Sequence, residues 1–126
     1  LLAASSVAFT EGGQSRAAIE RMFEQLGIAE QMAQTTVLLG PGEAPYAVAA
    51  GDAELVLTLV SEILHVPGLV LVGPLPGTLQ SYISFAAVRS AATNVPEAAD
   101  ALLEYLASER LAAALAEHGM EPPPNR

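Results

Sequence analysis

Two apolar runs held apart by about one helical turn constrain this chain more than any other feature. Residues 55–60 (LVLTLV) form the first run and residues 69–72 (LVLV) the second, with Ser61-Glu62-Ile63-Leu64 and then His65-Val66-Pro67-Gly68 between them. Strands buried on both faces carry apolar side chains throughout and read as continuous runs, not alternations. The spacing therefore predicts two central strands of an open sheet joined by a one-turn connector. The chain then leaves through Gly73-Pro74-Leu75-Pro76-Gly77. A proline has no ladder donor, so no central strand can continue through that segment.

The rest of the chain supplies elements around this pair. Residues 5–9 read as a strand, and the glycines of Thr10-Glu11-Gly12-Gly13 as a turn. A helix is expected over 15–26, because Ala18, Ile19, Met22, Phe23 and Leu26 share one stripe. Gly27 stands where a left-handed cap belongs, with Ile28 placed to fold back on Phe23. A turn or two of helix over 28–33, a strand over 36–39 and a short helix over 43–50 follow. Glu43 lies in the favourable first turn of that helix, and Gly51 ends it. Residues 81–88 are rich in β-favouring side chains and read as a further strand, followed by a polar loop over 89–94. Pro96 opens a helix whose buried stripe is Ala99, Leu102, Leu103 and Leu106. Ser108 caps a last helix, with Leu111, Ala114 and Leu115 inward and Gly119-Met120 closing it.

Strands alternating with helices define an α/β fold, an open, mostly parallel sheet with helices on both faces. Residues 1–120 are expected to form one such domain and residues 121–126 an extended or disordered tail. The chain opens Leu1-Leu2-Ala3-Ala4, without an initiator Met or a basic leader, and is expected to be a processed or partial chain.

Composition excludes several function classes. With 126 residues and a net charge of −9, the chain lacks the basic surface that nucleic acid requires, so no nucleic-acid partner is expected. The absence of cysteine removes disulfides, thiolate metal sites and a Cys nucleophile. No apolar run reaches the roughly 20 residues of a membrane span.

Ligands of α/β folds collect where strands of such a sheet end and helix N-termini open. Gly12-Gly13-Gln14-Ser15 opens the first long helix, where unpaired amides and the helix dipole favour an anion. An ordinary βα turn accounts for the same glycines. Gly40-Pro41-Gly42 opens the 43–50 helix in the same way, with Glu43 as a dipole partner. The binding residues on this reading are Gly13, Gln14, Ser15, Pro41 and Gly42. His65 and His118 lack a second His, a ligand-spaced acid or a nucleophile arrangement, so neither catalysis nor metal binding is expected of them. Glu62 reads as a helix-start acid or a hinge hydrogen-bond acceptor, and Tyr46, Tyr82 and Tyr105 as packing residues. No enzyme activity and no cofactor are expected.

These residues together carry a resemblance. Ser61-Glu62-Ile63-Leu64, Val66-Pro67-Gly68, Val72-Gly73-Pro74-Leu75-Pro76 and Leu79-Gln80 are similar to the back half of bacterial periplasmic solute-binding proteins related to the molybdate-binding protein. Gln25-Leu26-Gly27-Ile28-Ala29, Gly51-Asp52-Ala53-Glu54-Leu55, Ala101-Leu102-Leu103-Glu104-Tyr105-Leu106 and Gly119-Met120-Glu121-Pro122 fit the same template. The resemblance implies one lobe of a type 2 periplasmic-binding fold, with the return crossover and C-terminal helices. It also implies capture of a molybdate-like oxyanion or other small anionic or polar solute in the periplasm. The partners it implies are a first lobe and the membrane permease of an ABC importer. Binding contacts map onto Gly13, Gln14 and Ser15, and onto Pro41 and Gly42. The sequence departs from the template at Leu59, where molybdate binders carry a tyrosine, and in the shortened turn at 10–13. Removal of a partner lobe would expose apolar surface, so self-association is expected. The alternative implied by the same fold is the ligand-sensing effector domain of a LysR-type transcriptional regulator.

Overall fold

The computed structural model describes residues 1–122 and separates into two compact units, Leu1–Ile83 and Ser84–Arg126. In the first unit, β1 (Val7–Thr10) lies between β2 (Thr36–Leu39) and β3 (Leu55–Val56), and both pairings are parallel. Parallel neighbours require crossovers, and here helices supply them. Helices α1 (Gly13–Gln25) and α2 (Ala29–Ala33) connect β1 to β2, and α3 (Ala44–Ala50) connects β2 to β3. The α/β class, the parallel sheet and the helices around it are as expected.

The alternation of β1 explains its central place. Val7, Ala8 and Phe9 are 0, 0 and 2% exposed. Val7 and Phe9 face one way, into a cluster with Ala4, Ile19, Met22, Phe23 and Met32. The Phe9 and Phe23 rings meet edge to face, with centroids 6.0 Å apart and planes at 71°, a geometry the ring quadrupoles favour. Ala8 faces the other way, onto Ala44 and Ala53, with Val37, Leu39, Val48 and Val56 around them. One face is thus filled by large side chains and the other by alanines that let α3 approach closely.

Helix ends follow their sequence signals. At Gly27 (φ 67°), the Gly27 N–H donates to the Glu24 carbonyl at 3.0 Å and the Ile28 N–H to the Phe23 carbonyl at 2.9 Å, the paired bonds of a Schellman cap. Gly51 ends α3 in the left-handed region. Pro45 sits in the first turn of α3, where its missing N–H costs nothing.

Three expected strands change. The run over 55–60 stays in the sheet through Val56, and Leu57 donates one more bond to the Ala8 carbonyl at 3.0 Å. The chain then turns into α4 (Val60–Ile63). The runs over 69–72 and 81–88 form no strand; between them lies a single 3-10 turn, Gly77–Leu79. Among the described residues no segment pairs with either run. A strand needs a neighbour for its N–H and C=O groups, and β propensity alone cannot supply one. Leu75 and Leu79 still pack on the Phe9–Phe23 cluster and hold the segment to its unit.

The second unit contains α5 (Pro96–Leu106) and α6 (Glu109–Glu117). Ser108 caps α6, its Oγ accepting the Leu111 N–H at 3.4 Å. Gly119 closes α6, with the Met120 N–H donating to the Leu115 carbonyl at 2.9 Å. The expected burial of the α5 stripe does not occur: Leu102 is 57% and Leu106 41% exposed. A pair of short helices has too little surface to enclose an apolar stripe from both sides. Of the tail expected over 121–126, residues 123–126 lie outside the described residues.

Candidate functional site

All three strands run the same way, so the loops that follow them open on one edge of the sheet. Register makes the first two loops neighbours. Thr10 pairs with Leu39 at the end of the β1–β2 ladder, and the Glu11 N–H continues it to the Leu39 carbonyl at 2.8 Å. The 11–13 loop and the 40–43 loop start side by side. The two helix mouths singled out in the sequence therefore share an edge, and residues 57–59 leave β3 toward that edge too.

The first mouth is open. Gly12 is extended (φ −148°) and Gly13 takes φ 81°, a conformation that side chains avoid. No side chain caps α1, and no acid lies in its first turn. The amides of Gly13, Gln14 and Ser15 head a 13-residue helix whose dipole favours negative charge there. Arg16, which the sequence reading passed over, straps this loop. Its Nη1 donates to the Glu11 carbonyl at 2.5 Å, and its Nε pairs with Glu20 at 2.8 Å. The available signal was an arginine directly after the glycine turn in a chain with only five basic residues.

The second mouth is partly closed by its own acid. The Glu43 carboxylate accepts the Gly40 N–H at 2.9 Å, and the Glu43 N–H donates to the Gly40 carbonyl at 3.1 Å. A side chain at Gly40 would start 2.9 Å from that carboxylate. Pro41 has no N–H, so Gly42 (φ 78°) is the residue of this turn whose amide remains for a ligand. Glu43 is the N-cap of α3 and not the first-turn residue expected, and its carboxylate reaches back over the loop without capping a helix amide.

The remaining candidates play local parts. Glu62 lies in the first turn of α4 and accepts the Thr58 hydroxyl. Leu59 is the N-cap of α4 and accepts the Glu62 N–H at 3.0 Å. His65 Nδ1 lies 2.6 Å from the Ser61 carbonyl, and His118 caps the C-terminus of α6. Tyr46, Tyr82 and Tyr105, expected to serve packing, are 61, 67 and 47% exposed, so none is enclosed by its neighbours. Among the described residues no group of three or more His, Cys, Asp or Glu could hold a metal ion.

On the opposite edge, Glu54 ties the start of β3 to the chain before β1. Its carboxylate accepts both the Ser5 N–H and the Ser5 hydroxyl at 2.7 Å, while its own N–H donates to the Ser6 hydroxyl at 3.0 Å. These bonds favour the charged form, the Ser5 amide most and its hydroxyl next, and hold the Glu54 carboxyl below the ordinary glutamate range.

The model for the family described as bacterial extracellular solute-binding protein matches residues 2–121, and the chain belongs to that family. It is similar to an aconitate isomerase from Pseudomonas sp., 29% identical over 121 residues, which cover 96% of this chain and 46% of that protein. The chain thus spans about half the length of that relative. No solved structure matches it. Among the described residues no helix is long and apolar enough to cross a membrane.

Proposed function

We propose that this chain captures a small anionic or polar solute, a molybdate-like oxyanion among the candidates, without chemically changing it. It serves as one lobe of a periplasmic receptor for an ABC-type importer. The observation that carries this reading is the placing of two loop-to-helix mouths side by side on one sheet edge, one of them uncapped and with no acid in its helix's first turn. Such a site needs main-chain amides and a helix dipole, not a reactive side chain. Gly13, Gln14 and Ser15 provide most of the contact, with Gly42 across from them.

The remaining ligand shell comes from a facing lobe, as the coverage of the relative suggests. The exposed apolar residues Val70, Val72, Phe85 and Val88 favour self-association when that lobe is absent. A thermal-shift panel of molybdate, tungstate, sulfate, phosphate and aconitate tests the reading. A native-state ligand at about 100 times its Kd adds about 2.7 kcal/mol, enough to raise the melting point by several degrees. Absence of any shift at millimolar concentrations contradicts capture by this lobe. The similarity to aconitate isomerase favours a second reading, an isomerase lobe acting on aconitate. Turnover of aconitate by the full-length protein would select that reading over simple capture.

A further inference from the structure

The run over 69–72, expected as a central strand, is held at both ends and bonded to nothing between them. Before it, Val66 is 6% exposed. After it, Leu75 packs on the Phe9–Phe23 cluster, and its N–H donates to the Gln80 side-chain carbonyl at 2.7 Å. Burial along the run alternates with the period of a strand. Leu69 and Leu71 are half-buried, while Val70 and Val72 are 85 and 93% exposed. Among the described residues no backbone hydrogen bond is made by residues 69–72. Exposed apolar side chains and open main-chain groups thus coincide on a short run already anchored at its ends. Such a run is a template to which another strand adds, and its anchoring lowers the ordering cost of the addition.

Charge narrows the choice of what adds there. The chain carries 14 acids against five basic residues, so two copies repel over most of their surface. Residues 66–88 form its longest stretch without Asp, Glu, Lys or Arg. A cationic partner finds its complement in the acids elsewhere and gains nothing from this stretch. A second copy of the chain meets the least repulsion here.

We infer that residues 69–72 are a homotypic pairing site, at which two copies join these runs as an antiparallel two-stranded ribbon. The inference rests on the self-association proposed above and names the surface that carries it. An isologous contact presents the same patch from both sides of a twofold axis. An axis normal to the ribbon makes the two strands antiparallel. Successive side chains point to opposite faces, so the valines stay together only in registers that pair even positions with even ones. Placing Leu71 opposite Leu71 sets each Val70 against Val72 of the second copy and brings all the valines onto one face. The leucines remain on the other, toward their own units. A ribbon of two strands is weak, so the dimer depends on concentration.

The test is disulfide trapping in the full chain, which has no cysteine of its own. Val70→Cys, labelled with 15N, is mixed with unlabelled Val72→Cys under mild oxidation, and the cross-linked products are weighed by mass spectrometry. Residues directly opposite each other have Cβ atoms about 4.5–5.5 Å apart, close to disulfide reach. Two copies of the same variant hold their thiols two positions out of register, offset by about 7 Å along the ribbon. The mixed product is therefore expected to outnumber the two matched products together by about fivefold or more, where random encounter makes them equal. Both valines are exposed, so the variants keep the wild-type melting point. In the wild type, amide exchange at residues 69–72 slows as concentration rises and recovers on dilution. Equal mixed and matched products overturn the inference while leaving self-association standing. Exchange at 69–72 that ignores concentration in a chain that still dimerises does the same. A chain that is monomeric at every concentration overturns both, and solute capture is read separately by the thermal-shift panel.

Discussion

Two stretches of this chain are equally apolar and end up in opposite states. Residues 7–9 are sealed inside the first unit, at most 2% exposed, with parallel partners on both sides. Val70, Val72 and Val88 are 85, 93 and 88% exposed and belong to no strand. Side-chain type does not separate the two stretches; neighbours do. β1 has two strands to pair with and helices on both faces, whereas the later runs have no ladder partner among the described residues. Apolar character decides what a segment avoids, but pairing decides whether it becomes a strand.

That contrast can be broken by mutation. The largest expected effect is at Phe23. Phe23→Ala removes the edge-to-face partner of Phe9 from a closed cluster and should cost about 3–5 kcal/mol in chemical denaturation. A loss below about 1 kcal/mol would mean that this face is not the close-packed core described here. Next is Ala8→Leu, which forces three extra carbons between the sheet and α3 and should cost about 1–3 kcal/mol. The matching changes in the later runs should be almost silent. Val72→Ala and Val88→Ala stay within about 0.5 kcal/mol of wild type, since neither side chain is enclosed. In sedimentation velocity the same runs should matter: Val70→Asp with Val72→Asp shifts the chain toward the 13.0 kDa monomer. A wild type that already sediments as a monomer removes self-association from the account.

The smallest effect concerns the Glu54 tie, and it sharpens the comparison by asking what fixes the start of the sheet. Glu54 has a lowered folded pKa, so its contribution is present above the ordinary glutamate range and is lost as pH falls through the lowered value. Glu54→Gln should therefore melt slightly below wild type near neutral pH, and the gap should close in acid. A gap that widens in acid would reverse the sign of the Ser5–Glu54 interaction.

The same contrast explains how much of the structure is legible in the sequence. Local signals sufficed for the helices. The Gly27 and Gly119 caps, the Ser108 N-cap and Pro96 at a helix start depend on bonds made within a few residues, and all are where the sequence puts them. The β1 and β2 strands were legible too, because their partners follow within one crossover. The runs over 69–72 and 81–88 were misread as strands because propensity says nothing about an absent neighbour. The two helix mouths were legible as glycine turns opening helices, and the parallel sheet brings their loops together. The Glu43 carboxylate over Gly40 and the Arg16 strap were not legible, since each depends on side-chain direction.

Main-chain amides at the α1 and α3 mouths are the working parts of this account, and their response to an anion is the direct measure. In amide spectra of the 15N-labelled chain titrated with molybdate and then sulfate, the account predicts the largest saturable shifts at Gly13, Gln14, Ser15 and Gly42. Saturable binding that leaves those four amides unmoved would contradict it.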